Sequence, residues 1–240
     1  MAFEPFMQII RGLQGKRSNV GFGQIQNSQQ MAFIRHLERE RNQVDALNIA
    51  LTELDVVVFD IETTGFSPEK GDGIISIGAT KLCGTTILEE ETFYSVVNYD
   101  KDIPPEIVAL TGITNEQVKD ARPLADILIE FFQFTNNATL VAHHSVHEKT
   151  FMQHASTKLF RTPFKHRIVD TSFLFKVIEP KLDLVTLEDL CEHNGIPVTD
   201  RHHALGDAIM TAKLWSLYLE KANQIGCENL KDVYNRFSRI

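Results

Sequence analysis

No stretch of this 240-residue chain strings together the roughly 20 apolar residues that a membrane-spanning helix needs. Nor does it open like a secretory leader. Glu4 comes early and the basic residues follow the apolar ones, which predicts a cytoplasmic protein with no membrane partner. Cysteine is scarce: Cys83, Cys191 and Cys227 stand far apart without a CxxC pair. That argues against a disulfide framework and a structural zinc site, and predicts buried free thiols. Basic excess is missing too. Lys and Arg number 24 against 32 Asp and Glu, a net charge of −8. A protein that grips duplex nucleic acid through phosphates alone usually carries the opposite balance. A strong non-specific DNA binder is therefore disfavoured. A nuclease is not, because bound cations and local basic residues can supply attraction at a site.

What charge there is falls unevenly, with the first fifty residues mildly basic and the rest strongly acidic. Residues 11–28 are rich in Gly, Ser and Asn and read as a linker. From Ser28 to Leu54 there is neither Gly nor Pro. Met31, Ile34, Leu37, Val44, Leu47, Leu51 and Leu54 recur at helical intervals, which predicts a long amphipathic helix. Two roles fit it: packing on the main domain, or docking a partner such as a polymerase. The boundary is placed so that 1–53 is an extension and 54–240 the main domain.

Beyond Asp55 the texture changes. Val56-Val57-Val58-Phe59 is wholly apolar and β-branched, as in a strand buried on both faces. Strands are predicted at 74–82 and 85–97, with Gly84 in a tight hairpin between them. Further strands are predicted at 139–142 and 167–170. Helices are expected at 104–110, after a Thr114/Gln117 capping box, after Pro123, and at 146–159, 186–193, 204–222 and 229–237. This order gives an α/β fold, a mixed five-stranded sheet flanked by helices, with a helical N-terminal extension.

Three segments carry chemistry. Asp60-Ile61-Glu62 ends the buried strand, and residues i and i+2 of a strand share a face. Two carboxylates leaving the core together need a cation, and hard oxygen ligands suit Mg²⁺ or Mn²⁺. A lone DxE is common, and Asp60 capping a turn beside an exposed Glu62 reads it equally well. In His202-His203-Ala204-Leu205-Gly206-Asp207, Asp207 falls in the first turn of the 204–222 helix, where a carboxylate is electrostatically favoured. His202 stands just before it, and an imidazole is the side chain suited to taking a proton from water at neutral pH. In Val141-Ala142-His143-His144-Ser145-Val146-His147-Glu148, the four-residue spacing of His143 and His147 invites zinc. The second His of HExxH is absent after His147, which argues against it.

Taken in order, these segments resemble the Exo I, Exo II and Exo III motifs of the DEDDh (DnaQ-like) exonucleases, the family of the proofreading epsilon subunit of DNA polymerase III. The resemblance spans about residues 54–222. Asp60 to Gly65 matches DxETTG. Ile103 to Thr114 matches the "IP…HGIT" stretch, with Thr111 in place of His. His202 to Ala208 matches HRAxxDA. The second motif departs from VAHNAxFD: His144 replaces Asn, His147 replaces Phe and Glu148 stands for the third Asp. The resemblance implies a ribonuclease H-like fold and 3′→5′ hydrolysis with two divalent cations, Mg²⁺ or Mn²⁺. Asp60, Glu62, Glu148 and Asp207 would hold them, with His202 as general base. It places Thr63, Phe66 and His143 beside the 3′-terminal nucleotide. The implied substrate is a single-stranded 3′ end, DNA ahead of RNA. An exoribonuclease or oligonucleotide-degrading enzyme, and a weakened binding module, are the alternatives.

Overall fold

The computed structural model describes residues 46–240. Five strands form one sheet in the order β3-β2-β1-β4-β5: β1 (Asp55–Thr63), β2 (Ile74–Cys83), β3 (Thr86–Val96), β4 (Thr139–Ala142) and β5 (Ile168–Asp170). β1 to β3 are an antiparallel meander, while β4 pairs in parallel with β1 and β5 in parallel with β4. The helices are α1 (Pro105–Thr111), α2 (Asn115–Asp120), α3 (Leu124–Thr135), α4 (Val146–Phe160), α5 (Thr171–Ile178), α6 (Leu187–His193), α7 (Ala204–Gln224) and α8 (Leu230–Phe237). This is the expected mixed sheet with helices on both faces.

Alternation along β1 sorts the core into two layers. Val56 and Val58 pack with Trp215, Leu214 and Tyr218 of α7, and with α5, α6 and α8. Val57, Phe59 and Ile61 face α3 and α4 through Ile127, Phe131, Phe151 and Met152. Val56 to Phe59 are at most 1% exposed, which accounts for the uninterrupted apolar run. Asp60 and Glu62 continue the even-numbered face, so they emerge on the α7 side.

Local signals explain most element ends. Thr114 accepts from the Gln117 amide and Gln117 returns the bond, a complete capping box opening α2. Thr186, Asn229 and Asp170 cap α6, α8 and α5. Gly84 adopts a left-handed φ of 57° in the hairpin that joins Cys83 to Thr86.

Three expectations need correction. The helix predicted over 28–54 does not reach Leu54: residues 46–54 form turns and a bridge between Ala50 and Asn229. Leu51 and Leu54 are buried in the α7-side core, so at this end of the period the apolar residues belong to a packed strap rather than a helix. Residues 28–45 lie outside the described residues. Helix α5 was not expected, because it follows β5 with no linker and its run Thr171–Ile178 is as apolar as a strand. Of the three free cysteines, Cys191 and Cys227 are buried but Cys83 is exposed at the hairpin.

One contact fixes α7 against the sheet. Gly78 of β2 pairs with Asp60. A Cβ at Gly78 would lie 2.1 Å from the Leu205 nitrogen and 2.2 Å from the Ala204 carbonyl carbon. Backbone atoms cannot yield as a side-chain tip can, so Gly78→Ala must lift the first turn of α7 off β2. The expected loss is about 1–3 kcal/mol or more. It is measured as a fall in Tm accompanied by weakened divalent-cation binding, because Asp207 moves with that turn.

Candidate active site

The site stands at the carboxyl ends of the parallel strands β1, β4 and β5. β1 delivers Asp60 and Glu62, and a register shift between Glu62 and Thr63 turns the chain away just beyond them. α7 delivers Asp207 from its first turn. These three carboxylates each present an oxygen within 4.8 Å of the others. α4 delivers Glu148 from its own first turn. Glu148 is outside that group of three, yet it exerts the strongest charge repulsion on Asp60.

Electrostatics show a site short of positive charge. Burial, then repulsion from Glu148, Glu62 and Asp207, raises the Asp60 carboxyl well above the usual range. Burial, then Asp207, lifts Glu62 to about 7. Burial is again foremost in lifting Glu148 to about 8, with Asp170 and Glu62 adding to it. Asp207 is also raised by burial, against the pull of Arg201. Two unit charges about 5 Å apart repel by roughly 3 kcal/mol at an effective dielectric of about 20. Two buried oxygens, Oε2 of Glu148 and Oδ1 of Asp207, have no hydrogen-bond partner among the described residues. Unpartnered buried acceptors are costly. An all-oxygen set with two orphaned acceptors fits hard divalent cations.

The segment before α7 splays three side chains. Arg201 Nε donates to Glu188 at 2.6 Å and its Nη1 to Asp207 Oδ2. His202 adopts a left-handed φ of 58° and lies near enough to Asp207 and Glu188 to lower both carboxyls. His203 caps α7 by accepting from the Gly206 amide and stacks on Tyr94, ring centroids 4.3 Å apart. His202, the expected general base, is thus brought beside Asp207.

At the rim, Phe66 is 86% exposed and meets His147 edge-on at 5.7 Å. The Thr63 hydroxyl donates to the Gly65 carbonyl at 2.8 Å, which leaves His147 Nε2–H to donate to it at 3.2 Å. Thr63 and Phe66, just beyond the acidic pair, are thus joined through His147. His143 is differently engaged. Its Nδ1 meets Thr171 Oγ1 at 2.9 Å, and its Nε2 and that of His144 both reach the Val185 carbonyl. Burial, then His144, pushes the His143 imidazole down to about 4, so it sits neutral in this tie.

Sequence reading passed over Arg201, Glu188, Tyr94, His147 and Asp170 as site residues. Asp170 accepts from the Ser145 and Ser172 amides at 2.7 and 2.9 Å, tying the second-motif loop to α5. Arg201 adjoins His202, so its position was visible, but its partner Glu188 is thirteen residues upstream. Only the fold brings the two together.

The raised pKa values predict a pH dependence. In the folded, cation-free protein Glu62 and Glu148 hold protons up to about 7 and about 8, whereas their ordinary value is 4.5. The folded state binds more protons across that window, so stability falls as pH rises. The contribution is complete below about 4.5 and is lost as pH climbs through about 7 and about 8. Urea denaturation of cation-free protein, stepped from roughly pH 5 to roughly pH 9, should show a falling midpoint that added Mn²⁺ restores at the alkaline end.

A family model described as exonuclease matches residues 57–215. The DNA polymerase III PolC-type of Caldanaerobacter subterraneus subsp. tengcongensis is 35% identical over 184 residues, 77% of this chain and 13% of that protein. The 3′-5′ exonuclease DinG of Bacillus subtilis is 34% identical over 178 residues, 74% of this chain and 19% of that one. The chain thus matches under a fifth of the length of these curated relatives. Among solved structures, the nuclease domain of 3′hExo, a DEDDh family member bound to rAMP, superposes with a TM-score of 0.62 at 22% identity, over 73% of this chain and 94% of that one. Matched motifs, matched order and matched fold make the chain a member of the exonuclease family.

Proposed function

We propose that this protein is a divalent-cation-dependent 3′→5′ exonuclease acting on single-stranded DNA ends and releasing nucleoside monophosphates. The observation that carries the reading is the convergence of Asp60 and Glu62 of β1 with Asp207 of α7 within 4.8 Å, where Oδ1 of Asp207 and, from α4, Oε2 of Glu148 are buried without a partner among the described residues. Asp60 is central to the group and would serve both cation positions. Glu62 and Asp207 complete the first position, and Glu148 supports the second. When bound, two Mg²⁺ or Mn²⁺ ions supply hydroxide at neutral pH and charge stabilisation of the leaving 3′-oxygen. His202 takes the proton of the attacking water. Thr63 borders the terminal nucleotide, Phe66 offers an exposed ring on which any base can stack, and His143 holds the loop behind it.

DNA is placed ahead of RNA because of the PolC-type relative, a DNA polymerase by name. The rAMP in the superposed nuclease domain keeps RNA as the second reading. We assign the exonuclease domain to 54–240, with 46–53 packed against it, and 1–45 to an extension that docks a polymerase or another replication partner. A cytoplasmic site of action is part of the same proposal. Among the described residues no helix is long and apolar enough to cross a membrane.

The test is digestion of matched 3′-labelled single-stranded DNA and RNA with Mg²⁺ or Mn²⁺. DNA should be shortened from its 3′ end, and chelation should stop the reaction. Asp60→Ala should abolish cleavage, and His202→Ala should slow it about 10²–10⁴-fold. Full activity in both variants would sink the assignment, and faster digestion of RNA would favour the second reading. Phe66→Ala should raise KM and leave kcat nearly unchanged, if stacking holds the substrate without entering the chemistry.

A further inference from the structure

We propose that Arg201, strung between Glu188 and Asp207, is the positioning residue for the third cation-binding carboxylate. The inference rests on the cation-dependent reading above. Asp207 is 5% exposed and lies in the first turn of α7, where two rotatable bonds would let its oxygens exchange places. Arg201 removes that freedom. Its Nη1 takes Asp207 Oδ2 and leaves Oδ1 as the oxygen without a partner.

The guanidinium is itself held. Its Nε donates to Glu188 Oε1 at 2.6 Å, so a planar, always-charged fork is anchored at one edge while it orients Asp207 with another. The backbone around it is equally constrained. His202 is left-handed at φ 58°. A Cβ on Gly206 would come within 2.3 Å of the Asp200 carbonyl oxygen. The segment from Asp200 to Asp207 thus folds back on itself, with Gly206 against the Asp200 carbonyl. Glu188, from the first turn of α6, closes the chain of contacts.

A counter-charge and a positioning residue have consequences of opposite sign. Arg201 also lowers the carboxyls of Asp60, Glu62 and Asp207, which is the behaviour of a resident counter-charge that a cation must displace. A counter-charge weakens cation binding, and its removal tightens it. A positioning residue strengthens binding, and its removal loosens it. Ligand-orienting partners outside the coordination sphere typically contribute about 10–100-fold to affinity.

The experiment is calorimetric titration of the full chain with Mn²⁺, comparing wild type with Arg201→Ala, Arg201→Lys and Glu188→Ala. Arg201→Ala should weaken Mn²⁺ binding about 10–100-fold. Glu188→Ala, on the partly exposed outer side of the chain of contacts, should weaken it less and keeps the test alive if Arg201→Ala fails to fold. Arg201→Lys, a charge without the fork, should restore only part of the loss. The Mn²⁺ concentration for half-maximal hydrolysis should rise in parallel, with kcat recovered at saturating Mn²⁺, which a folding defect would not produce. Unchanged or tighter binding in Arg201→Ala or Glu188→Ala overturns the positioning role. Absence of Mn²⁺ binding in the wild type would instead overturn the cation-dependent reading itself.

Discussion

The molecule depends on how closely α7 approaches β2 at Gly78. Asp60 and Gly78 are cross-strand partners, so the residue beside the central carboxylate has no side chain. Into that gap the backbone of Ala204 and Leu205 descends, to a distance at which no Cβ fits. Three residues later the helix presents Asp207. A helix held even a side-chain radius further out would carry Asp207 beyond reach of Asp60 and Glu62. The packing beneath serves this contact: Trp215, Leu214 and Tyr218 seat the rest of α7 on Val56 and Val58, with all five residues wholly buried. Core and site therefore share one helix, and its register on the sheet sets both.

The second constraint is charge. Four carboxylates from three elements face one another, and Arg201 is the cation that acts on Asp60, Glu62 and Asp207. Without a divalent ion the protein answers in the way open to buried acids, by raising proton affinity. Protons and divalent cations thus compete for the same oxygens. The orphaned Oε2 of Glu148 and Oδ1 of Asp207 are the structural counterpart of that competition. Tightly packed helices behind the site keep the carboxylates from swinging out to water, which would relieve the repulsion and lose the site.

Much of this was legible in the residues, for reasons of range. The DxE pair is set by strand alternation over three residues, and Asp207 by a helix start one turn before it. Both are local, and both lie where the sequence placed them. The Thr114 capping box was equally local and is present as read. What sequence missed is set by distant partners. Arg201 acquires meaning only when α6 brings Glu188 to it. Asp170 acquires it only when β5 aligns with β4 so that Ser145 lies at its carboxylate. The apolar period through Leu54 misled for a related reason. Leu51 and Leu54 are apolar because they are buried against α7 and α8, and burial imposes an apolar residue whatever backbone carries it.

The second motif shows how the fold absorbs a change in its own pattern. Phe is exchanged for His147, yet the position still packs on an aromatic ring, Phe151 at 4.8 Å, and gains a hydrogen bond to Thr63. Asn is exchanged for His144, and its ring finds the Val185 carbonyl that His143 already meets. Each substitution adds a tie from the motif to another segment, the end of β1 in one case and the loop before α6 in the other. Glu148 is the exception. It is buried at 4% exposure, and one of its oxygens has no partner. An acid that the surrounding protein leaves unsatisfied, as it also leaves Oδ1 of Asp207, fits a role in holding something the protein itself does not supply. By that argument the longer side chain belongs to the same constellation as Asp60, although it stands outside the closest three.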